Sequence, residues 1–211
     1  MRDVKAVLAT AEVYGVCARA FDAPGNREID DIHDDADFVT YAVEVLDLNE
    51  QAAAKGLDFA GAASQTQSAD VARNYSELFT TRQQCKLDEA EYDKAIFNRY
   101  QRMADVGGFY RAFGFEPATD AHQRPDFIGL ELEFMQILLI KRAYAMEQRW
   151  DDKVQACLDA EREFLKEHLA WWVPAMCENL RGASTCAYFR QLSDFLEAFI
   201  GSEASRQLQT V

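Results

Sequence analysis

A mostly apolar run at residues 124–142 limits what this chain can fold into more than any other stretch; it reads RPDFIGLELEFMQILLIKR. It starts with Pro125 beside Asp126 and ends on Lys141 and Arg142, which suits the direction of a helix dipole. On a helical wheel its apolar side chains point in nearly every direction, and neighbouring elements cover such a helix. The apolar part, about 14 residues, is shorter than the roughly 20 that cross a bilayer. The run therefore predicts the central helix of a helical domain.

The rest of the chain favours further helices. Apolar residues recur at three- and four-residue spacing, and only ten Gly and four Pro occur among 211 residues. The pattern predicts an all-α fold, a single compact helical domain of about eight to ten helices. We expect this domain to span residues 1–211, with a frayed tail at 202–211.

Three local expectations accompany this fold. Residues 27–37 are rich in aspartate and predict a solvated turn before a helix that starts near Phe38. Residues 50–72 have few large apolar side chains and predict a weak, poorly packed helix and loop. A helix from Asp88 is expected to be interrupted at Gly107 and Gly108.

Charge and composition exclude several classes of function. The net charge of −14 argues against nucleic acid as a partner, because phosphate contacts need a basic face. It favours a basic peptide, although solubility alone explains it equally well. We found no signal peptide or membrane-spanning helix, so we expect a cytoplasmic protein without membrane insertion. Five widely spaced cysteines predict mostly buried, reduced thiols.

A search for catalytic or metal-binding motifs finds none. A di-iron bundle needs Glu-x-x-His, but Asp30, Thr119 and Leu165 precede the three histidines at that spacing. HExxH, CxxC, P-loop and GxSxG motifs are also absent from the sequence. We therefore predict no catalytic residue, metal or cofactor. His168 lies on an apolar helix face, which predicts a core histidine. Asp126 and Glu133, seven residues apart, either accept a basic partner group or pair with an internal arginine.

The residues from Pro125 to Met135 resemble the Pro-Asp-His-Ile-x-x-Glu-Leu-Glu-Phe-Met signature of the TorD/DmsD/NarJ chaperones. Four further elements follow in that family's order. Tyr75 to Phe79 resembles Tyr-x-x-Leu-Phe, and Cys85, Glu89 and Tyr92 fit a degraded Cys-Pro-Pro-Tyr-Glu-x-x-Tyr. Tyr110 with Gly114 fits Tyr-x-x-x-Gly, and Phe164 to Pro174 resembles Phe-Leu-x-x-His-Leu-x-x-Trp-x-Pro. Together they cover residues 75–174. Two departures stand out: the Pro-Pro-Tyr is replaced by residues 86–88, and Phe127 replaces the usual histidine.

The resemblance implies a TorD-like fold and a function. Members are cytoplasmic maturation chaperones that bind the molybdopterin-containing catalytic subunit of an oxidoreductase and its twin-arginine leader, assist cofactor insertion and block early export. The cysteine before Glu-x-x-Tyr is most similar to chaperones of dimethyl-sulfide-reductase-type enzymes of anaerobic respiration. Two alternatives stay open, a peptide-binding adaptor without an export role and a small-molecule-binding helical enzyme. Both a monomer and a homodimer are consistent with the sequence.

The same resemblance assigns candidate residues. The expected partner-binding residues are Asp126, Pro125, Glu89, Tyr92, Leu78, Phe79, Tyr110 and Gly114. The expected structural residues of the motifs are Glu131, Glu133, His168 and Trp172. Of these, Asp126 is the foremost candidate, and Glu133 is expected to meet an internal donor. We expect Asp126→Ala and Glu89→Ala proteins to stay folded and to lose affinity for a leader peptide.

Overall fold

The computed structural model describes residues 3–23, 29–95, 98–117 and 124–208. Its helices, in chain order, are α1 (Val4–Arg19), α2 (Ile29–Val45), α3 (Glu50–Ser64), α4 (Ser68–Tyr75), α5 (Arg99–Ala112), α6 (Ile128–Glu147), α7 (Asp151–Phe164), α8 (Val173–Ala183) and α9 (Ala187–Leu208). Two of them run on into π-helical turns, α4 into Ser76–Thr81 and α7 into Leu165–Leu169. The described residues thus form nine helices in one compact all-α domain, as the sequence predicted.

The apolar run forms α6, the central helix. Leu132, Phe134 and Leu138 are fully buried, and α6 packs against α1 on one side and α7 on the other. The helix starts at Ile128, so Pro125 and Asp126 precede it and do not form its first turn. In the part of the chain that the structure describes, no helix combines the length and apolarity needed to cross a membrane.

Several boundaries differ from the sequence expectation. Helix α2 begins at Ile29 and includes the aspartate-rich segment, because Asp30 and Asp31 lie in its first turn, where acids suit the helix dipole. Helix α5 begins at Arg99 and not near Asp88, where a short 3-10 turn (Glu89–Glu91) lies. It passes through Gly107 and Gly108 without a break. The expected frayed tail is helical as far as Leu208, while 209–211 lie outside the described residues.

The segment 50–72 is not poorly packed. Asn49 caps α3 by accepting a 2.8 Å hydrogen bond from Ala52 N, and Phe59 is buried. A Cβ on Gly56 would lie 2.8 Å from a methyl of Val43 and 3.2 Å from the Phe195 ring. The small residues of α3 therefore allow close approach to α2 and α9.

An aromatic cluster joins the helices that carry the candidate site. The Phe134 ring of α6 lies 4.9 Å from the Tyr110 ring of α5 and 4.7 Å from the Phe164 ring of α7. Phe109 of α5 contacts Phe164 at 5.3 Å. Edge-on aromatic contacts of this kind add stability beyond area burial, so α5, α6 and α7 are held in a fixed arrangement.

Candidate functional site

Three carboxylates that the sequence places far apart meet in the interior. Glu89 opens a short 3-10 turn (Glu89–Glu91), Asp126 precedes α6 and Glu131 lies in the first turn of α6. Each is fully buried. Buried acids are stable only when paired or neutral, so their partners determine what this acidic cluster does.

Glu89 connects the 3-10 turn with the segment after α7. Its carboxylate accepts a 2.7 Å hydrogen bond from Trp171 Nε1 and lies 3.1 Å from His168 Nδ1. Because the carboxylate is an acceptor, Nδ1 of His168 carries the hydrogen. The expectation of a core histidine is met, since His168 is buried and bonded.

Asp126 clamps the same turn to the start of α6. Its carboxylate accepts a 3.0 Å hydrogen bond from Ala90 N and two from Arg124, at 2.9 and 2.7 Å. Main-chain bonds from Glu89 N to Asp126 O and from Ile128 N to Leu87 O, both 2.8 Å, complete the clamp. These internal partners place Asp126 beneath the surface, not on an open binding face.

Glu131 is the third acid of the cluster. Burial raises its pKa well above the usual range, and the nearby carboxylates of Glu89 and Asp126 raise it further. Both effects favour the neutral form of Glu131, which can donate a hydrogen bond. Trp172 Nε1 lies 3.3 Å from Glu131 Oε2 and also contacts the carbonyl of His168. Glu133, in contrast, is exposed, and the internal donor expected for it is not found among its described neighbours.

Tyr110 and Gly114 support the loop that carries Pro125. The Tyr110 hydroxyl donates a 2.8 Å hydrogen bond to the carbonyl of Pro125. Gly114 follows α5 with φ of +63°, a left-handed conformation that glycine adopts without strain, and Phe115 N then bonds to Tyr110 O at 2.8 Å. This turn therefore fixes the Pro125 loop beside the clamp.

The remaining expected contact residues are largely packing residues. Leu78 is buried, and the half-buried Phe79 ring contacts Tyr75 at 5.0 Å and Phe189 at 5.5 Å. The half-buried Tyr92 ring lies 5.3 Å from Trp172, and its hydroxyl donates to Lys86 O at 2.9 Å. None of these three side chains lines the groove described next.

A groove of about 640 Å³, which the sequence did not predict, lies between α5 and α7. Its floor is aromatic or small: Phe109, Phe113, Ala104, Gly108, Ala112, Ala156 and Ala160. Exposed acids stand at its edges: Asp105, Asp159, Glu163 and Glu167. Arg102 is the one basic residue among those lining it, and His168 forms part of its wall. A sequence signal existed in the four-residue spacing of Ala104, Gly108 and Ala112.

The acidic cluster lies behind the part of the groove wall that His168 forms. The Phe109 ring on the floor lies 5.4 Å from the His168 ring, and His168 is bonded to Glu89 behind it. The motif residues therefore position the groove and do not line it, apart from His168. Across the described ranges, no group of three or more histidine, cysteine or acidic side chains is arranged to hold a metal ion.

Comparisons with known proteins agree with this picture. The family model described as nitrate reductase delta subunit matches residues 44–178, which include both helices of the groove and the whole acidic cluster. A curated relative, the perchlorate reductase assembly chaperone protein of Dechloromonas aromatica (strain RCB), is 31% identical over 112 residues. That match covers 53% of this chain and 49% of the relative, so it spans only about half the relative's length.

Proposed function

The chain belongs to the nitrate reductase delta subunit family, and we propose on this basis that it is an assembly chaperone for a molybdopterin oxidoreductase. It binds the catalytic subunit of that enzyme, including a twin-arginine leader, in the cytoplasm before export. The name of the relative, an assembly chaperone of a perchlorate reductase, supports a reductase as the client. Family membership places the chain among assembly chaperones and not among enzymes.

The groove between α5 and α7 is the observation that carries the leader-binding part of this proposal. A leader presents arginines followed by an apolar helix. Two helices that line a groove with an aromatic and small-residue floor suit an apolar helix lying between them. A Cβ on Gly108 would meet open space, so the floor at this point leaves room for a ligand.

The charge around the groove supports a cationic ligand. Four exposed acids and one arginine line it, and the whole chain carries −14. Such a field attracts a basic peptide and accelerates encounter, while the planar guanidinium pairs well with carboxylates. A peptide without arginines loses this part of the interaction.

The motif residues have a supporting role in this proposal. Glu89 and Asp126 hold the groove wall in place through His168, Trp171 and Arg124. Gly114 is exposed and Pro125 is half-buried. We propose that Pro125, Gly114 and the half-buried Phe79 and Tyr92 contact the body of the client, while the leader occupies the groove.

A groove-filling substitution tests the proposal. The probe is a synthetic peptide with two adjacent arginines followed by an apolar helical segment about as long as α7, titrated by calorimetry. Gly108→Leu places a side chain in the groove, and we expect it to weaken binding at least about tenfold, or 1.4 kcal/mol. Gly61→Leu is the matched control, because Gly61 is an exposed helical glycine that also faces open space.

The outcomes separate the alternatives. Binding by the unmodified protein and by Gly61→Leu, together with weak binding by Gly108→Leu, supports the groove. Equal affinity for all three proteins excludes it as the binding site. Equal affinity for a peptide in which both arginines are glutamine favours an adaptor that recognises only an apolar helix. Co-expression with a molybdopterin-binding catalytic subunit, followed by co-purification, tests the client directly.

A further inference from the structure

One end of the groove already holds a guanidinium group. The Arg102 guanidinium carbon lies 4.8 Å from the centre of the Trp171 ring, within cation–π distance. Arg102 Nε lies 3.3 Å from Asp93 Oδ2, and one terminal nitrogen donates to Glu167 O at 3.4 Å. The same nitrogen is 3.8 Å from Glu89 Oε1. An aromatic face, two carboxylates and a carbonyl therefore surround one arginine side chain.

The resident arginine is loosely bound. Its polar contacts span 3.3 to 3.8 Å, whereas Arg124 contacts Asp126 at 2.7 and 2.9 Å. Charge-assisted hydrogen bonds of full strength are about 2.7–2.9 Å long. The Arg102 side chain is also 30% exposed, so it has a path into solvent.

The surrounding site does not depend on Arg102. Trp171 is held by its 2.7 Å hydrogen bond to Glu89, and Glu89 is held in turn by His168. If Arg102 leaves, the aromatic face and the carboxylates stay in place. Glu89 is fully buried, and its carboxylate then loses its contact with the Arg102 guanidinium. Another guanidinium group entering from the groove restores that pairing.

We propose that Trp171, Glu89, Asp93 and the Glu167 carbonyl form an arginine subsite, which Arg102 occupies until an arginine of the bound peptide replaces it. The inference rests on the proposed function for the origin of that arginine. It places the arginine end of the peptide at the Trp171 end of the groove, with the apolar segment extending over Phe109 and Gly108. Displacement of Arg102 lowers the apparent affinity of every ligand for the subsite, so a weakly matched ligand does not bind appreciably.

Removal of Arg102 tests the subsite. The probe is the capped dipeptide acetyl-Arg-Arg-amide. Calorimetry measures its affinity, and a ¹H–¹⁵N spectrum records whether the tryptophan indole N–H signals shift when it binds. If Arg102 occupies the subsite roughly nine-tenths of the time, Arg102→Gln strengthens binding about tenfold. Arg111→Gln removes the same charge from an exposed position of α5 and is the control for general electrostatics. We expect it to change affinity less than about threefold.

A second variant keeps the test independent of the stability of Arg102→Gln. The unmodified protein is expected to bind acetyl-Arg-Arg-amide more tightly than acetyl-Lys-Lys-amide, because a guanidinium stacks on an aromatic face. Trp171→Leu removes that face, so this variant is expected to bind the two dipeptides equally. The subsite is wrong if Arg102→Gln binds no tighter than Arg111→Gln, or if the Trp171 indole signal does not shift. If the long peptide still binds the groove in that case, the proposed function stands. If only the dipeptide binds, the subsite stands and leader binding fails.

Discussion

Replacement of Asp126 tests whether the family signature builds the site or contacts the ligand. The sequence pattern predicts that Asp126→Ala leaves the fold intact. The structure predicts a loss of stability, because the carboxylate is fully buried and bonded to Ala90 N and Arg124.

The size of the effect follows from those partners. Ala90 is fully buried, so its orphaned N–H costs about 1–3 kcal/mol. The Arg124 side chain is 34% exposed and keeps a 3.1 Å contact with Glu91, so loss of its pair costs at most about 1 kcal/mol. We expect the free energy of unfolding to fall by about 2–3 kcal/mol.

Urea unfolding followed by circular dichroism measures this change. Asp126→Asn keeps an acceptor for Ala90 N and is expected to lose about 1 kcal/mol or less. Glu91→Ala removes a partly exposed partner of the same arginine and is expected to lose a similarly small amount. A change below about 0.5 kcal/mol in Asp126→Ala, within the range of ordinary surface substitutions, would refute the clamp.

Two further predictions concern Glu131 and Gly114. Because the pKa of Glu131 is raised in the folded protein, its stabilising contribution is complete below the usual glutamate range and is lost as pH rises. The non-titrating Glu131→Gln protein is therefore expected to become more stable relative to wild type as pH rises from about 5 to about 8. Urea unfolding of both proteins at each pH measures the difference. Parallel pH curves for the two proteins would contradict a buried neutral acid. Gly114→Ala forces a side chain into the left-handed region and is expected to lower the free energy of unfolding by about 1–2 kcal/mol. Gly61→Ala, in the interior of α3, is expected to raise it by up to about 1 kcal/mol. Thermal melts in which both variants shift the midpoint in the same direction would rule out a left-handed requirement at Gly114.

The sequence predicted those features that follow from local pattern. The all-round apolar character of the run at 124–142 required covering neighbours, so the helix that it forms was expected to be central. His168 and Trp172 lie at helical spacing among apolar residues, and both are buried. The motif resemblance identified the family, which the family model confirms over residues 44–178.

The contacts that the sequence did not reveal depend on partners distant in the chain. Asp126 was expected either to accept a basic partner group or to pair with an internal arginine, and in the structure it pairs with Arg124. Its main-chain partner, Ala90 N, is 36 residues away, and no local pattern reveals that contact. The segment 50–72 was expected to pack poorly because its residues are small. In α3 that smallness is what allows Gly56 to lie against Val43 and Phe195.

The groove was missed for a related physical reason. Gly107 and Gly108 lower helix propensity, and the pair was expected to break the helix. Tertiary packing of Tyr110 and Phe109 against Phe134 and Phe164 keeps α5 continuous. The absence of a side chain at Gly108 then leaves open space along the floor.

Hydrogen–deuterium exchange of the protein with and without the two-arginine apolar peptide tests the central claim most directly. Slower exchange is predicted in segments from α5 (99–112) and from α7 with its π-helical turn (151–169), which form the groove. Protection confined to the acidic cavity between α1 and α2, lined by Glu12, Asp31 and Asp34, would contradict the account.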